Sequence, residues 1–348
     1  MPESTLPGGA TYRDAGVDRE QANRAKDGIL RLIGSTLTPR VVPNPGGFGG
    51  LLRVPTDFAD GLLVSSADGV GTKLKVALLA DRHDTVGHDL VNHCVNDILV
   101  EGAHPLFFLD YIGMGKLSSG VAEALVTGMV AGCQENQCAL LGGETAELPD
   151  FYAPGEYDLA GFMVGLSREQ ERPGAHRVIA GDVLLGLASN GFHTNGYTLL
   201  RRVLFDRLGL SVADPYPGLR RSVGDELLRV HRSYLHSVLP LIREGAIHAL
   251  AHITGGGIVE NLERVLPQGL QATVDSSAWS LPPEFVTIME AGPVARSEMF
   301  ATFNMGIGMI LVVSATDATR VSQQLQKTGE QVHAIGRIGA DGSGVVLT

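Results

Sequence analysis

Short apolar runs in this chain stop repeatedly at glycine. Leu62-Leu63-Val64 reads as a buried strand running into Ser65-Ser66-Ala67-Asp68-Gly69-Val70-Gly71-Thr72-Lys73. From Gly87 to Gly102, Leu90, Val91, Cys94, Val95, Ile98 and Leu99 recur at helical spacing. The opposite side of that predicted helix carries Asp89, His93, Asn96 and Asp97, three or four residues apart and so near neighbours. The apolar strand Leu106–Leu109 follows, so the polar side is expected to face a cleft. A second amphipathic helix is predicted from Gly120 to Gln137, with Ser118 or Ser119 as its cap. Cys138-Ala139-Leu140-Leu141 then predicts a short buried strand that stops at Gly142-Gly143-Glu144-Thr145. Tyr157 to Ser167 predicts a further strand.

The composition turns polar across Ser167 to His176, which divides the chain into residues 1–170 and 171–348. The second half restarts with a strand from Asp182 to Ala188, a loop through His193 and Asn195, and a helix through Leu199 and Leu204. One long helix is expected from about Gly224 to Glu244. Ala251-His252-Ile253 runs into Thr254-Gly255-Gly256-Gly257, where a helix with Ile258, Leu262 and Val265 begins. Segments between Met299 and Ile338 complete the half. Strands alternating with helices predict an α/β fold with mixed sheets in two domains, each a sheet packed with helices.

The 348 residues are 44% hydrophobic and 19% charged, enough for a packed core in each half. A net charge of −11 with no basic run argues against nucleic acid or an anionic membrane as partner. Three cysteines make neither a disulfide framework nor a cysteine-rich zinc site. Met1 to Ala10 has no apolar core, and the run from Met305 to Val313 is too short to span a bilayer. A soluble cytoplasmic protein is expected.

Asp68, two glycines, Thr72 and Lys73 are the parts needed to hold a metal-bound polyphosphate. The segment is not a Walker A loop, since the leading glycine is missing, and Leu74 breaks a Rossmann fingerprint. Magnesium takes one or two protein carboxylates together with phosphate oxygens and water. Asp68, Asp97 and Glu144 each stand at or near the end of an apolar element and are expected to converge on one ion cluster. Lys73 could offset charge on a transferring phosphoryl group, a reaction that needs positioning and electrostatics more than a nucleophile. No nucleophile elbow, His-Glu-x-x-His or catalytic cysteine setting is present. The triple glycine at 255–257 can turn backbone N–H groups toward an anion. Gly46 to Gly50 is a turn before a strand or a flexible cover over a ligand, and His193 and His252 are structural hydrogen bonders or substrate groups. Both choices stay open at this stage.

In this order the segments resemble the phosphoribosylformylglycinamidine cyclo-ligase (aminoimidazole ribonucleotide synthetase) family. The likeness runs from Tyr12-Arg13-Asp14-Ala15-Gly16-Val17-Asp18 through Gly46–Gly49, Asp68–Leu74, Cys94–Asp97, Pro105–Tyr111, Gly142–Glu147, Tyr157–Phe162, Asn195–Tyr197 and His252–Gly257 to Phe303–Met309. It implies ATP-dependent closure of formylglycinamidine ribonucleotide to aminoimidazole ribonucleotide through an iminophosphate. It also implies a homodimer whose N-terminal sheets join. Residues 1–170 would be the ATP, metal and dimerisation domain, and residues 171–348 the substrate side. Asp68, Asp97 and Glu144 would hold magnesium. Gly69, Gly71, Thr72, Lys73, Asn96, Gly142, Gly143 and Thr145 would complete the ATP site. Lys26, Gly47, Phe48 and Gly49 would cover the substrate, and His193, Asn195, His252, Gly255, Gly256 and Gly257 would hold it. Lys73, His193 and Asn195 would serve catalysis; whether a monovalent cation assists stays open. The family often has Thr-Pro-Thr-Arg where Arg229-Val230-His231-Arg232 stand, and Pro where Phe192 stands. The rival readings are a selenophosphate synthetase-like or thiamine-monophosphate kinase-like enzyme, or a nucleotide-binding maturation scaffold.

Overall fold

The computed structural model describes residues 28–43, 50–56, 61–340 and 342–348. The first of two large sheets is built from β3 (Gly61–Gly69), β4 (His104–Met114), β5 (Ala139–Glu147) and β6 (Tyr157–Arg168). Its strand order is β3-β6-β4-β5, with β4 and β5 parallel and the other pairs antiparallel. A small pair, β1 (Val41–Val42) and β2 (Leu51–Leu52), stands apart. Two helices, Asp84–Leu99 and Ser119–Glu135, cover one sheet face. The predicted apolar stripe, Leu90, Val91, Cys94, Val95, Ile98 and Leu99, is fully buried there with Phe108, Ile112 and Met163. A Cβ at Gly128 would lie 1.7 Å from Asp84 O, so the two helices approach backbone to backbone.

The second sheet holds β7 (Val183–Ala188), β8 (Ile247–His252), β9 (Gln271–Val274), β10 (Ile307–Val313), β11 (Val332–Gly339) and β12 (Gly344–Leu347). The order is β12-β9-β11-β7-β10-β8. Every residue of β10 is buried, as expected of an uninterrupted apolar run with strands on both sides and helices packed over it. The α/β class and the division into two sheet-and-helix halves are as the alternation of patterns predicts.

Three expectations need correction. Leu62–Val64 is not a buried strand: β3 is an edge strand and Leu63 is 74% exposed. The strand from Ala139 does not stop at Gly142, because parallel pairing with β4 carries it to Glu147. The long helix from Gly224 to Glu244 is two short ones, Val223–Leu227 and Leu235–Arg243. The break between them has a specific cause. Side chains of the first half hydrogen-bond the backbone of residues 229–234 and so hold those groups outside a helix.

Candidate active site

The polar side of the Asp84–Leu99 helix meets the second half of the chain. Asn92 Nδ2 donates to His231 O at 2.8 Å, and Asn96 Nδ2 donates to Arg232 O at 2.8 Å. Asn96 Oδ1 accepts from Tyr234 N at 3.0 Å, and Asp89 Oδ1 accepts from His231 N at 2.6 Å. Buried polar groups need partners, so this face zips an irregular segment to a helix. The predicted cleft-facing surface is thus mostly a seam: Asp89, His93 and Asn96 are buried, and Asp97 alone keeps a quarter of its side chain exposed.

Lys73 opens the Lys73–Leu79 helix and is wholly buried. Its ammonium lies 2.8 Å from Asp89 Oδ2, and donates to His193 O at 3.0 Å and Arg229 O at 2.7 Å. Burial pushes Lys73 below its usual range and Asp89 above it, while their mutual attraction opposes both shifts. Placing Lys73 at the phosphates is therefore corrected: all its donors are spent on one carboxylate and two carbonyls inside the seam.

Asp68 and Asp97 do come together. Ser66 donates to Asp97 Oδ2 at 2.8 Å, tying the helix to β3. His93 Nε2 stands 2.8 Å from Asp68 Oδ2 and 3.7 Å from Asp97 Oδ2. Burial works to raise both carboxyl groups. Contacts with His93 and the N–H of Gly69 outweigh it for Asp68, and those with His252, His93 and Ser66 outweigh it for Asp97, so both titrate below the usual range. His93 shifts upward because Asp68 and Asp97 outweigh its burial.

Glu144 does not join them within the chain. It lies on β5, at the opposite sheet edge from Asp68 on β3. Three strand spacings separate those edges, roughly 14 Å. Gly142, Gly143 and Thr145 share that far edge. Between the edges stands Asp110, buried and pushed up to about 7 by burial.

On the second half, His252 Nδ1 meets Asp97 Oδ1 at 2.8 Å. His193 is buried at φ +60°, a left-handed conformation uncommon for a residue with a side chain. Gly255 approaches Asn195, whose Nδ2 would lie 3.6 Å from a Cβ there. Gly257 has φ +60° and a Cβ would lie 1.8 Å from Phe300 O, so only glycine fits. The Gly256 backbone is also left-handed. Thr72 Oγ1 meets Thr198 Oγ1 at 2.9 Å, and Gly69 N donates to Asp68 Oδ1, with Gly71 at φ +58° forming the turn. Lys26, Gly47, Phe48 and Gly49 lie outside the described residues.

The functional class now has an independent measure. Residues 50–167 match the family described as AIR synthase related protein, N-terminal domain, and residues 180–348 match its C-terminal domain. A phosphoribosylformylglycinamidine cyclo-ligase of Trichlorobacter lovleyi is 49% identical over 330 residues, covering 94% of this chain and 95% of that protein. The chain belongs to the phosphoribosylformylglycinamidine cyclo-ligase family. It is therefore an enzyme. The Geotalea daltonii cyclo-ligase is likewise 49% identical over 94% of each chain. Among solved structures, thiamine-monophosphate kinase from Stenotrophomonas maltophilia aligns with TM-score 0.70 at 20% identity, over 91% of this chain and 94% of its own. Hydrogenase maturation protein HypE in complex with ATP aligns with TM-score 0.68 at 18% identity, over 95% and 91%. Those likenesses show the fold alone.

Residue patterns put Asp89, His93, Asn96 and Asp97 on one helix side but give Asp89 no site role, and they single out neither His231 nor Thr194 as a site residue. Asp89 and Asp97 flank His93 at four-residue spacing, which puts all three on one helix side. That spacing was a usable signal. No local signal linked the helix to His231, which is more than a hundred residues away.

Proposed function

We propose that this enzyme closes formylglycinamidine ribonucleotide to aminoimidazole ribonucleotide at the expense of ATP, in purine biosynthesis. The observation that carries this reading is the meeting of Asp68 and Asp97, two ionised, part-exposed carboxylates from different elements, at the mouth of the seam. Oxygen donors of that kind suit magnesium. Bound magnesium would neutralise charge on the triphosphate. Asp68 and Asp97 would hold the ion, and Thr72 with the Gly69–Gly71 turn would line the phosphate side. The ATP bound to the HypE protein of the same fold supports a nucleotide here.

In the reaction, the amide oxygen of the substrate attacks the terminal phosphorus of ATP and ADP leaves. The resulting iminophosphate carries a leaving group that the bare amide lacks. The amidine nitrogen then attacks the same carbon, and the ring closes as phosphate departs. His193, Asn195 and the Gly255–Gly257 turn would hold and orient the ribonucleotide. Lys73 serves as a positioning residue that fixes the His193 carbonyl, rather than as a phosphate ligand.

Residues 1–170 would carry ATP, metal and dimer contacts, and residues 171–348 the substrate side. A homodimer is supported by the bare face of the first sheet, where Leu63 and Phe162 are 74% and 45% exposed. In such a dimer the Glu144 that approaches Asp68 would come from the second copy. No helix among the described residues is long and apolar enough to cross a membrane, and a cytoplasmic location fits the biosynthetic role. The test is ADP release that depends on formylglycinamidine ribonucleotide, with the aminoimidazole product formed in equal amount. ATP turnover indifferent to that substrate would overturn the reading.

A further inference from the structure

Ring nitrogens of three histidines, His93, His231 and His252, make an unbroken hydrogen-bonded path through the seam from Asp68 to Asp97. His93 Nε2 is 2.8 Å from Asp68 Oδ2, and His93 Nδ1 is 2.7 Å from Thr194 Oγ1. Thr194 Oγ1 is 3.3 Å from His231 Nδ1, and His231 Nε2 is 3.1 Å from His252 Nε2. His252 Nδ1 closes the path on Asp97 Oδ1 at 2.8 Å. Each of these five contacts needs one proton, because an ionised carboxylate only accepts. Three neutral imidazoles and one hydroxyl bring only four, so the fifth contact takes either a second proton on His93, which Asp68 and Asp97 favour, or a cation in place of the His231–His252 contact.

A cation between His231 Nε2 and His252 Nε2 removes the shortfall. His252 Nδ1 then donates to Asp97 and His231 Nδ1 to Thr194. Thr194 in turn donates to His93 Nδ1, and His93 Nε2 donates to Asp68. Two bare lone pairs remain, aimed at the same point. Their 3.1 Å separation is close to the ~3.3 Å between two nitrogens that each sit 2.0–2.1 Å from a tetrahedral zinc ion. The rings of His231 and His252 are held 5.1 Å apart at 58°.

A separate observation points to the same place. His193 is buried, and neither of its ring nitrogens has a partner. Its ring stacks on His231 at 3.9 Å, and one nitrogen each from His193, His231 and His252 lie within 4.8 Å of one another. We propose that His193, His231 and His252 bind a divalent transition-metal ion of the zinc type, in a three-histidine site that adjoins Asp97 but does not use it as a ligand. To ligate the ion His193 must turn out of its stack on His231, which gives its unsatisfied ring a partner. The three donors are nitrogens in a buried setting, which suits zinc or cobalt and not magnesium. Asp97 and Thr194 orient His252 and His231 from behind, as outer partners of metal-bound imidazoles do. Three protein ligands leave a fourth position for water or a substrate oxygen.

The test uses the full-length, tag-free protein, stripped with chelator and titrated with Co2+ without nucleotide. Expected are one tetrahedral cobalt spectrum per chain, displacement by Zn2+, and no competition from excess Mg2+. His231→Gln should weaken binding at least ~100-fold, and Thr194→Val ~10-fold through lost orientation of His231. His88→Gln, at a histidine paired with Glu135 outside the cluster, should bind as the parent does. Circular dichroism of the metal-free variants shows that they fold, and Thr194→Val carries the test if His231→Gln does not. Absence of stoichiometric cobalt binding, or unchanged binding in both seam variants, overturns the site and assigns the fifth proton to the network instead. Normal cyclisation without cobalt binding would sink this inference alone. Cobalt binding without cyclisation would sink the reaction assignment alone.

Discussion

Lys73 and Asp89 form an ion pair, 2.8 Å from Nζ to Oδ2, with both side chains at zero exposure. The pair joins the helix that follows β3 to the helix that lines the seam. It also fixes three backbone groups of the second half, at His193, Arg229 and His231. Removing one partner strands a buried charge and costs about 3–5 kcal/mol. Lys73→Met should therefore lower unfolding free energy by about that amount, measured by urea denaturation. The double variant Lys73→Met with Asp89→Asn should lose less than the two single losses combined, by ~1–3 kcal/mol. Strict additivity would mean that the two side chains do not stabilise one another.

Asp68→Asn and Asp97→Asn should each lower cyclisation turnover about 100-fold or more, by analogy with the loss of one preorganised electrostatic group. Isothermal titration should show weaker magnesium–ATP binding in both, with circular dichroism showing that both variants fold. Parent-like turnover of both variants in saturating magnesium–ATP would displace the metal site from these carboxylates.

Asp110 is buried between β5 and β6 in the sheet, with its carboxyl pushed up to about 7 by burial. A raised folded-state value means the stabilising neutral form is fully present below about pH 4. Its contribution is lost as pH rises toward 7, by up to ~4 kcal/mol. Asp110→Asn stays neutral throughout. Its melting temperature should therefore gain on the parent between pH 4 and pH 8. A gap that does not widen with pH would mean that Asp110 ionises as easily as an exposed carboxyl.

Leu63 and Phe162 stand on the bare face of adjacent antiparallel strands β3 and β6. If the proposed homodimer uses this face, Leu63→Lys and Phe162→Lys should each give a monomer in analytical ultracentrifugation where the parent is a dimer, without loss of secondary structure. An unchanged sedimentation coefficient would place the dimer contact elsewhere.

Several local features were legible before any coordinates. The stripe from Leu90 to Leu99 is buried as its period predicts, because a helix must hide one apolar side. The runs that become β4, β6 and β7 are strands as their short apolar runs predict. The glycines at 69–71 and 255–257 mark turns, and Gly257 shows why no other residue fits there.

The misreadings share one cause. Leu62–Val64 looks like core, yet β3 is an edge strand with one open face, and edge position is a property of the whole sheet. Residues 224–244 carry a helical pattern, yet Asn92, Asn96 and Asp89 capture the backbone between Arg229 and Tyr234. Lys73 stands among phosphate-binding residue types, yet its burial against Asp89 decides what it does.

The amino-acid sequence by itself determined the family and the α/β class, and it offered Asp68, Asp97 and Glu144 as candidate metal carboxylates. Those properties follow from local period, turn chemistry and residue order. Only the tertiary structure decided that Lys73 is locked in the seam, that Glu144 lies at the far edge of the sheet, and that His93, His231 and His252 share one hydrogen-bonded path. Each of those depends on side chains brought together from distant parts of the chain, where burial and the need to satisfy every polar atom set the outcome.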